Sequence, residues 1–110
     1  MKETDDGTAY TFGAITSINV KGYGIGDDTT SQMEFLVKDN ENGEERHLVV
    51  LTQKLHRPET FNAMVSFVSA AYFAEKEIGV EYVPHEGSGA NANRVITVFS
   101  PHFKNLAKDR

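Results

Sequence analysis

Residues 58–74 read PETFNAMVSFVSAAYFA, and they decide the fold, because their apolar positions recur at helical and not strand spacing. Phe61, Met64, Val65, Val68 and Tyr72 fall three or four apart, which places them on one face of a helix. Pro58 suits a first helical turn, and Glu59 adds favourable negative charge there. Gly79 comes too late to serve as a cap, so the helix is predicted to end near Glu75 or Lys76. A second apolar flank, Ala63, Phe67, Ala70, Phe73 and Ala74, leaves only a narrow polar seam at Asn62, Ser66, Ser69 and Lys76. A helix lying on one small barrel needs one apolar face, so two faces imply two burial partners. Leaving Phe67 and Phe73 in water forgoes roughly 1.5–3 kcal/mol each. A subunit interface over Phe67, Ala70, Phe73 and Ala74 is the expectation; the plainer alternative is cover by the chain's own tail through Phe103 and Leu106.

Everything around this helix alternates with a period of two. Downstream, Ile78, Val80 and Tyr82 alternate with Gly79, Glu81 and Val83, a fourth strand. A glycine- and asparagine-rich loop, HEGSGANAN at residues 85–93, separates it from a fifth, in which Val95, Thr97 and Phe99 oppose Ile96 and Val98. Pro101 halts that strand. Upstream, Tyr10, Phe12, Ala14, Thr16, Ile18 and Val20 share one parity over eleven residues, long for a strand, and Gly13 inside it predicts a bend or bulge. Residues 22–30 (GYGIGDDTT) read as a loop. Met33, Phe35 and Val37 mark the second strand, and residues 46–51 (RHLVVL) the third. Asn42-Gly43 between them is a strong hairpin signal.

The order β-β-β-α-β-β, with a long bent first strand, describes a mainly β, OB-fold-like five-stranded barrel. An antiparallel sheet with one packed helix in another topology is the competing architecture. The expected organisation is a flexible segment at 1–8, the barrel at 9–101 and a short C-terminal tail at 102–110.

Composition narrows the chemistry. At 110 residues the chain has the length of one domain, and 39% hydrophobic with 25% charged residues is a globular balance. Eleven basic against 16 acidic residues give a net charge of -5, the opposite of a chain that works by neutralising phosphates. No cysteine is present, which removes disulfides, thiolate metal sites and cysteine nucleophiles together. No apolar run approaches the roughly 18 residues a membrane span needs, and Met1–Gly7 contains no signal-like apolar stretch.

No catalytic pattern emerges. Gly22, Gly24 and Gly26 lead into Asp27, Asp28 and a strand, whereas a phosphate loop leads into a helix N-terminus. Asp27 and Asp28 lack the alternating ligands and distal Glu of a calcium loop. His85-Glu86 has no second His four residues on, and His47, His56, His85 and His102 are scattered, so no metal or cofactor is expected. Gly87-Ser88-Gly89 is not a strand-to-helix nucleophile elbow, and the Glu44/Glu45 pair sits on a hairpin flank. Tyr10, Thr11 and Tyr23 combine rings with hydroxyls, a pairing that suits sugars and, less well without a cationic groove, stacked bases. Ordinary strand roles for Tyr10 and Tyr82 are the plain alternative.

From Ala9-Tyr10 through the first strand, and again over Phe61–Val83 with its Ala71-Tyr72-Phe73 near the helix end, the chain resembles the B subunits of pentameric bacterial toxins, in the subtilase-cytotoxin and pertussis-like branch. The resemblance implies a ring of barrels with helices facing a central channel, an outer site for sialylated glycans, a catalytic A-type subunit as partner, and a secreted or periplasmic location. A sugar-contacting serine of that family corresponds to Thr11 here, which keeps the hydroxyl and adds a methyl. Members usually carry a disulfide and an export signal, and this sequence shows neither. The resulting expectation is a non-enzymatic oligomer recognising a glycan or a partner protein. The alternative is a single-stranded nucleic-acid barrel, to which Lys104, Lys108 and Arg110 lend some positive charge.

Overall fold

The computed structural model describes residues 7–23, 30–51, 57–85 and 92–101. Its elements run β1 (Ala9–Tyr23), β2 (Thr30–Asp39), β3 (Glu45–Leu51), α1 (Pro58–Phe73), β4 (Glu77–Val83) and β5 (Asn93–Phe99). The strands close a barrel in the order β1-β2-β3-β5-β4, with β4 returning to β1 and β3 lying parallel to β5. The expected element order and the five-stranded barrel are both present.

Closure depends on β1 serving two neighbours. Its first half, Ala9–Ala14, pairs with β4, and its second, Gly13–Tyr23, pairs with β2. Gly13 is where the partners overlap, and a Cβ there would lie 1.8 Å from the Lys38 carbonyl oxygen. Only glycine lets the two backbones approach this closely. The bulge itself falls three residues later, between Ile15 and Ser17, and not at Gly13. It reverses the strand's parity: Ile15 faces the core before it and Ile18 packs against the core after it. The single apolar face read from Tyr10 to Val20 is therefore two half-faces. A second irregularity, between Glu81 and Tyr82, does the same across β4 and β5, so Val95 and Val98 both reach the core although their parities differ.

The β2–β3 hairpin forms as the Asn-Gly signal implied. Gly43 has φ +73°, its amide donates to the Asp39 carbonyl, and the Asp39 amide donates to the Glu44 carbonyl. The Asp39 side chain accepts the Glu41 amide at 2.8 Å, an Asx-type turn contact.

Inside, Met33, Phe35, Leu48, Val50, Ile78, Val80, Tyr82 and Val95 fill the barrel, and α1 contributes Phe61, Met64 and Val68 from one end. The helix ends at Phe73, earlier than the expected Glu75 or Lys76. Lys76 donates its amide to the Ala71 carbonyl and Glu75 to that of Tyr72, with Glu75 at φ +55°. That is a Schellman stop built without the usual glycine, which is why the sequence did not announce it.

Candidate functional site

Three surfaces result. The first is the outer face where β1 meets β4 and β5. Tyr10 and Phe12 stand there on alternate residues, cross-strand from Glu81 and Gly79, and Phe99 packs edge-on against both rings. Gly79 makes this possible, since a Cβ on it would lie 2.4 Å from the Phe99 ring and 2.8 Å from that of Phe12. The Tyr10 hydroxyl donates to Glu81 Oε2 at 3.3 Å, and Thr8 donates to the same oxygen at 3.2 Å. Thr8, expected in a loose segment, is thus buried and bonded.

Thr11 points the opposite way, toward the interior. It is 0% exposed and donates its hydroxyl to Asp39 Oδ2 at 2.6 Å. Asp39 thereby joins the β2–β3 turn to β1 with both of its carboxylate oxygens occupied. The expected ring-and-hydroxyl surface at Tyr10 and Thr11 is not presented to solvent. Strand parity sends the two side chains to opposite faces, and both are buried. The Tyr23 backbone ends β1 opposite Thr30, and its side chain lies outside the described residues.

The second surface is the free side of α1. Phe61, Met64 and Val68 face the core, which turns Ala63, Phe67, Ala70, Phe73 and Ala74 outward. Phe67 is 38% exposed and Phe73 77%, and Ala70 and Ala74 are exposed beside them. A groove of 440 Å³ runs from this flank to β1, lined by Ala14, Ile15, Tyr72, Phe73, Glu75 and Lys76. The interface residues named from sequence are thus gathered on one solvent-facing flank. Phe103 and Leu106, the proposed internal cover, lie outside the described residues.

The third surface was not legible beforehand. On the outer face of β1, β2 and β3, a 270 Å³ groove is lined by Ser17, Asn19, Glu34, Leu36 and His47 with part of Phe35. His47 Nε2 lies 2.9 Å from Glu34 Oε1. Asn93 supports the strand below, donating from Nδ2 to the His47 carbonyl at 3.0 Å and accepting the His85 amide at 2.9 Å. In the sequence His47 is one of four scattered histidines. Its pairing with Glu34, 13 residues away, needs the β2–β3 register that sets Leu36 opposite His47. Among the described residues, no group of three or more His, Asp or Glu could hold a metal ion.

No family model matches the chain, and no curated protein does. Solved structures do. A point mutant of the Salmonella typhi PltB homopentamer superposes with a TM-score of 0.66 at 15% identity, covering 87% of each chain. Subtilase cytotoxin SubAB superposes at 0.63 with 12% identity, again over 87% of each. Another PltB homopentamer mutant, with Neu5Ac-alpha-2-3-Gal-beta-1-4-GlcNAc glycans, superposes at 0.60 with 14% identity over 86% of this chain and 85% of that one. Similarity at this level of identity is one of architecture. The chain has the barrel fold of the pentameric-toxin B subunits, the family its sequence distantly resembles.

Proposed function

We propose that this chain is a non-enzymatic, toxin B-subunit-like barrel that assembles with copies of itself through α1 and recognises a glycan or a partner protein. The carrying observation is Phe73, a ring 77% exposed on a helix whose opposite face is already committed to the barrel core. Burying such a ring contributes roughly 1.5–3 kcal/mol, and Phe67 adds to the same patch. Ala63, Ala70 and Ala74 keep the flank low, so a second backbone can approach closely. The adjoining groove gives a neighbouring side chain a place to seat. That the architectural neighbours include homopentamers, one bearing sialylated glycans, supports both halves of this reading. Glycan recognition is assigned to a surface other than Tyr10 and Thr11, whose side chains are engaged within the fold.

Sedimentation equilibrium or light scattering at micromolar concentration tests the assembly. The expected result is a multiple of the chain mass that Phe73→Asp reduces to the monomer while the circular dichroism stays unchanged. A monomeric wild-type chain sinks the proposal.

A further inference from the structure

Asn42-Gly43 is the single Asn-Gly step in the chain, and every other asparagine is followed by a residue that carries a side chain. The step sits at the exposed tip of the β2–β3 hairpin. The chemistry it permits is intramolecular. The Gly43 main-chain nitrogen, once it gives up its proton to water, can attack Asn42 Cγ, because glycine sets no side chain in the path. A C–N bond forms, ammonia leaves, and a succinimide ring joins the two residues. Water then opens the ring at either carbonyl, giving aspartate or isoaspartate, and no oxidant or reductant enters.

The folded turn holds both reacting groups. Gly43 donates its N–H to the Asp39 carbonyl at 2.8 Å, and Asn42 Oδ1 accepts the Glu44 amide at 2.9 Å. The first bond keeps the nitrogen's proton from water, and the second fixes the carboxamide. Asp39 braces both. Its amide donates to the Glu44 carbonyl, its Oδ1 accepts the Glu41 amide, and its Oδ2 accepts the Thr11 hydroxyl. Its backbone stands opposite Gly13 of β1. We infer that Asn42 is a fold-gated site of self-modification, locked while Asp39 anchors the turn to β1 and released to cyclise when that anchorage opens. Local opening costs less than global unfolding, so the turn opens at times in an otherwise folded barrel. The two products then differ. Aspartate keeps a side-chain oxygen for the Glu44 amide, and the turn recloses. Isoaspartate adds a methylene to the main chain, which lengthens the loop that the Asp39–Glu44 bond must close. That turn no longer closes in its register, so the chain keeps a covalent record of having opened.

This inference is independent of assembly and of glycan binding. The test follows Asn42 by peptide mapping and mass spectrometry in the full-length chain, held in mildly alkaline buffer with and without enough urea to unfold it. An isoaspartate-specific carboxyl methyltransferase serves as the probe for the isoaspartyl product. The unfolded chain should convert Asn42 at least about tenfold faster than the folded one. Thr11→Val, which removes the donor to Asp39, should quicken conversion of the folded chain severalfold. Val68→Ala weakens the buried core but none of the contacts that hold the turn, and it should leave that rate unchanged. The refolded isoaspartyl chain should melt below the wild type, whereas Asn42→Asp should melt with it. Equal rates in the folded and unfolded chains overturn the lock, and an Asn42 that survives in the unfolded chain overturns the site. No acceleration by Thr11→Val, or equal acceleration by Val68→Ala, overturns the anchor through Asp39. An isoaspartyl chain that melts like the wild type overturns the covalent record.

Discussion

Replacing Thr11 by valine separates two roles that the sequence alone could not. The residue corresponds by resemblance to a sugar-contacting serine, yet the structure seals it from solvent with its hydroxyl 2.6 Å from Asp39 Oδ2. Valine keeps the branched shape and removes the hydroxyl, so packing is nearly unchanged and the loss is electrostatic. Asp39 is 2% exposed, and its Oδ2 would lose the donor that Thr11 supplies. Hydrogen bonds to charged groups contribute about 1.5–3 kcal/mol, and stranding the acceptor falls in the same range. The expected destabilisation is therefore about 2 kcal/mol. In urea, with an m-value of roughly 1–3 kcal/mol/M, that moves the midpoint down by about 1 M at unchanged slope. The melting temperature should fall by on the order of 10 °C. Thr11→Ser, which retains the hydroxyl, should lose less than half as much. Ligand affinity should not change in either variant while the protein is folded. Should Thr11→Val melt like the wild type yet lose sugar binding, the hydroxyl is a ligand contact and the interior assignment is refuted.

Four further substitutions probe the barrel and its helix. Gly13→Ala drives a Cβ into the Lys38 carbonyl, a backbone atom that cannot swing aside, so a loss of about 3 kcal/mol is expected in urea unfolding. Gly43→Ala, with φ +73° but open space around it, should lose only about 1 kcal/mol, and equal losses at the two sites would refute the steric account. Gln32 is 1% exposed with no hydrogen-bond partner for Nε2 among the described residues, opposite Leu51. Gln32→Leu should therefore raise stability by about 1 kcal/mol, and a clear drop in melting temperature would reveal a partner for that amide. Glu75→Gly relieves the left-handed backbone at the helix stop, and calorimetry should show a rise of roughly 0.5 kcal/mol. A fall would mean that the Glu75 side chain contributes more than its backbone costs.

The element order, the hairpin at Asn42-Gly43 and the double-faced helix were all legible in the sequence, because each rests on local chemistry. Spacing of three and four residues sets a helical face, and Asn-Gly favours a positive φ whatever surrounds it. The barrel followed from that order together with the length of the first strand. Tertiary structure decided what depends on register. A bulge one residue long at Thr16 reverses parity, and the placement of Gly13 against Lys38 exists only once β2 is docked. For the same reason Thr11 and Tyr10, adjacent in sequence, serve opposite faces, while Glu34 and His47, 13 residues apart, meet in one groove. A period-two pattern states that side chains alternate, but not which parity turns inward. Contacts between separate strands settle that, and they arise when the sheet closes.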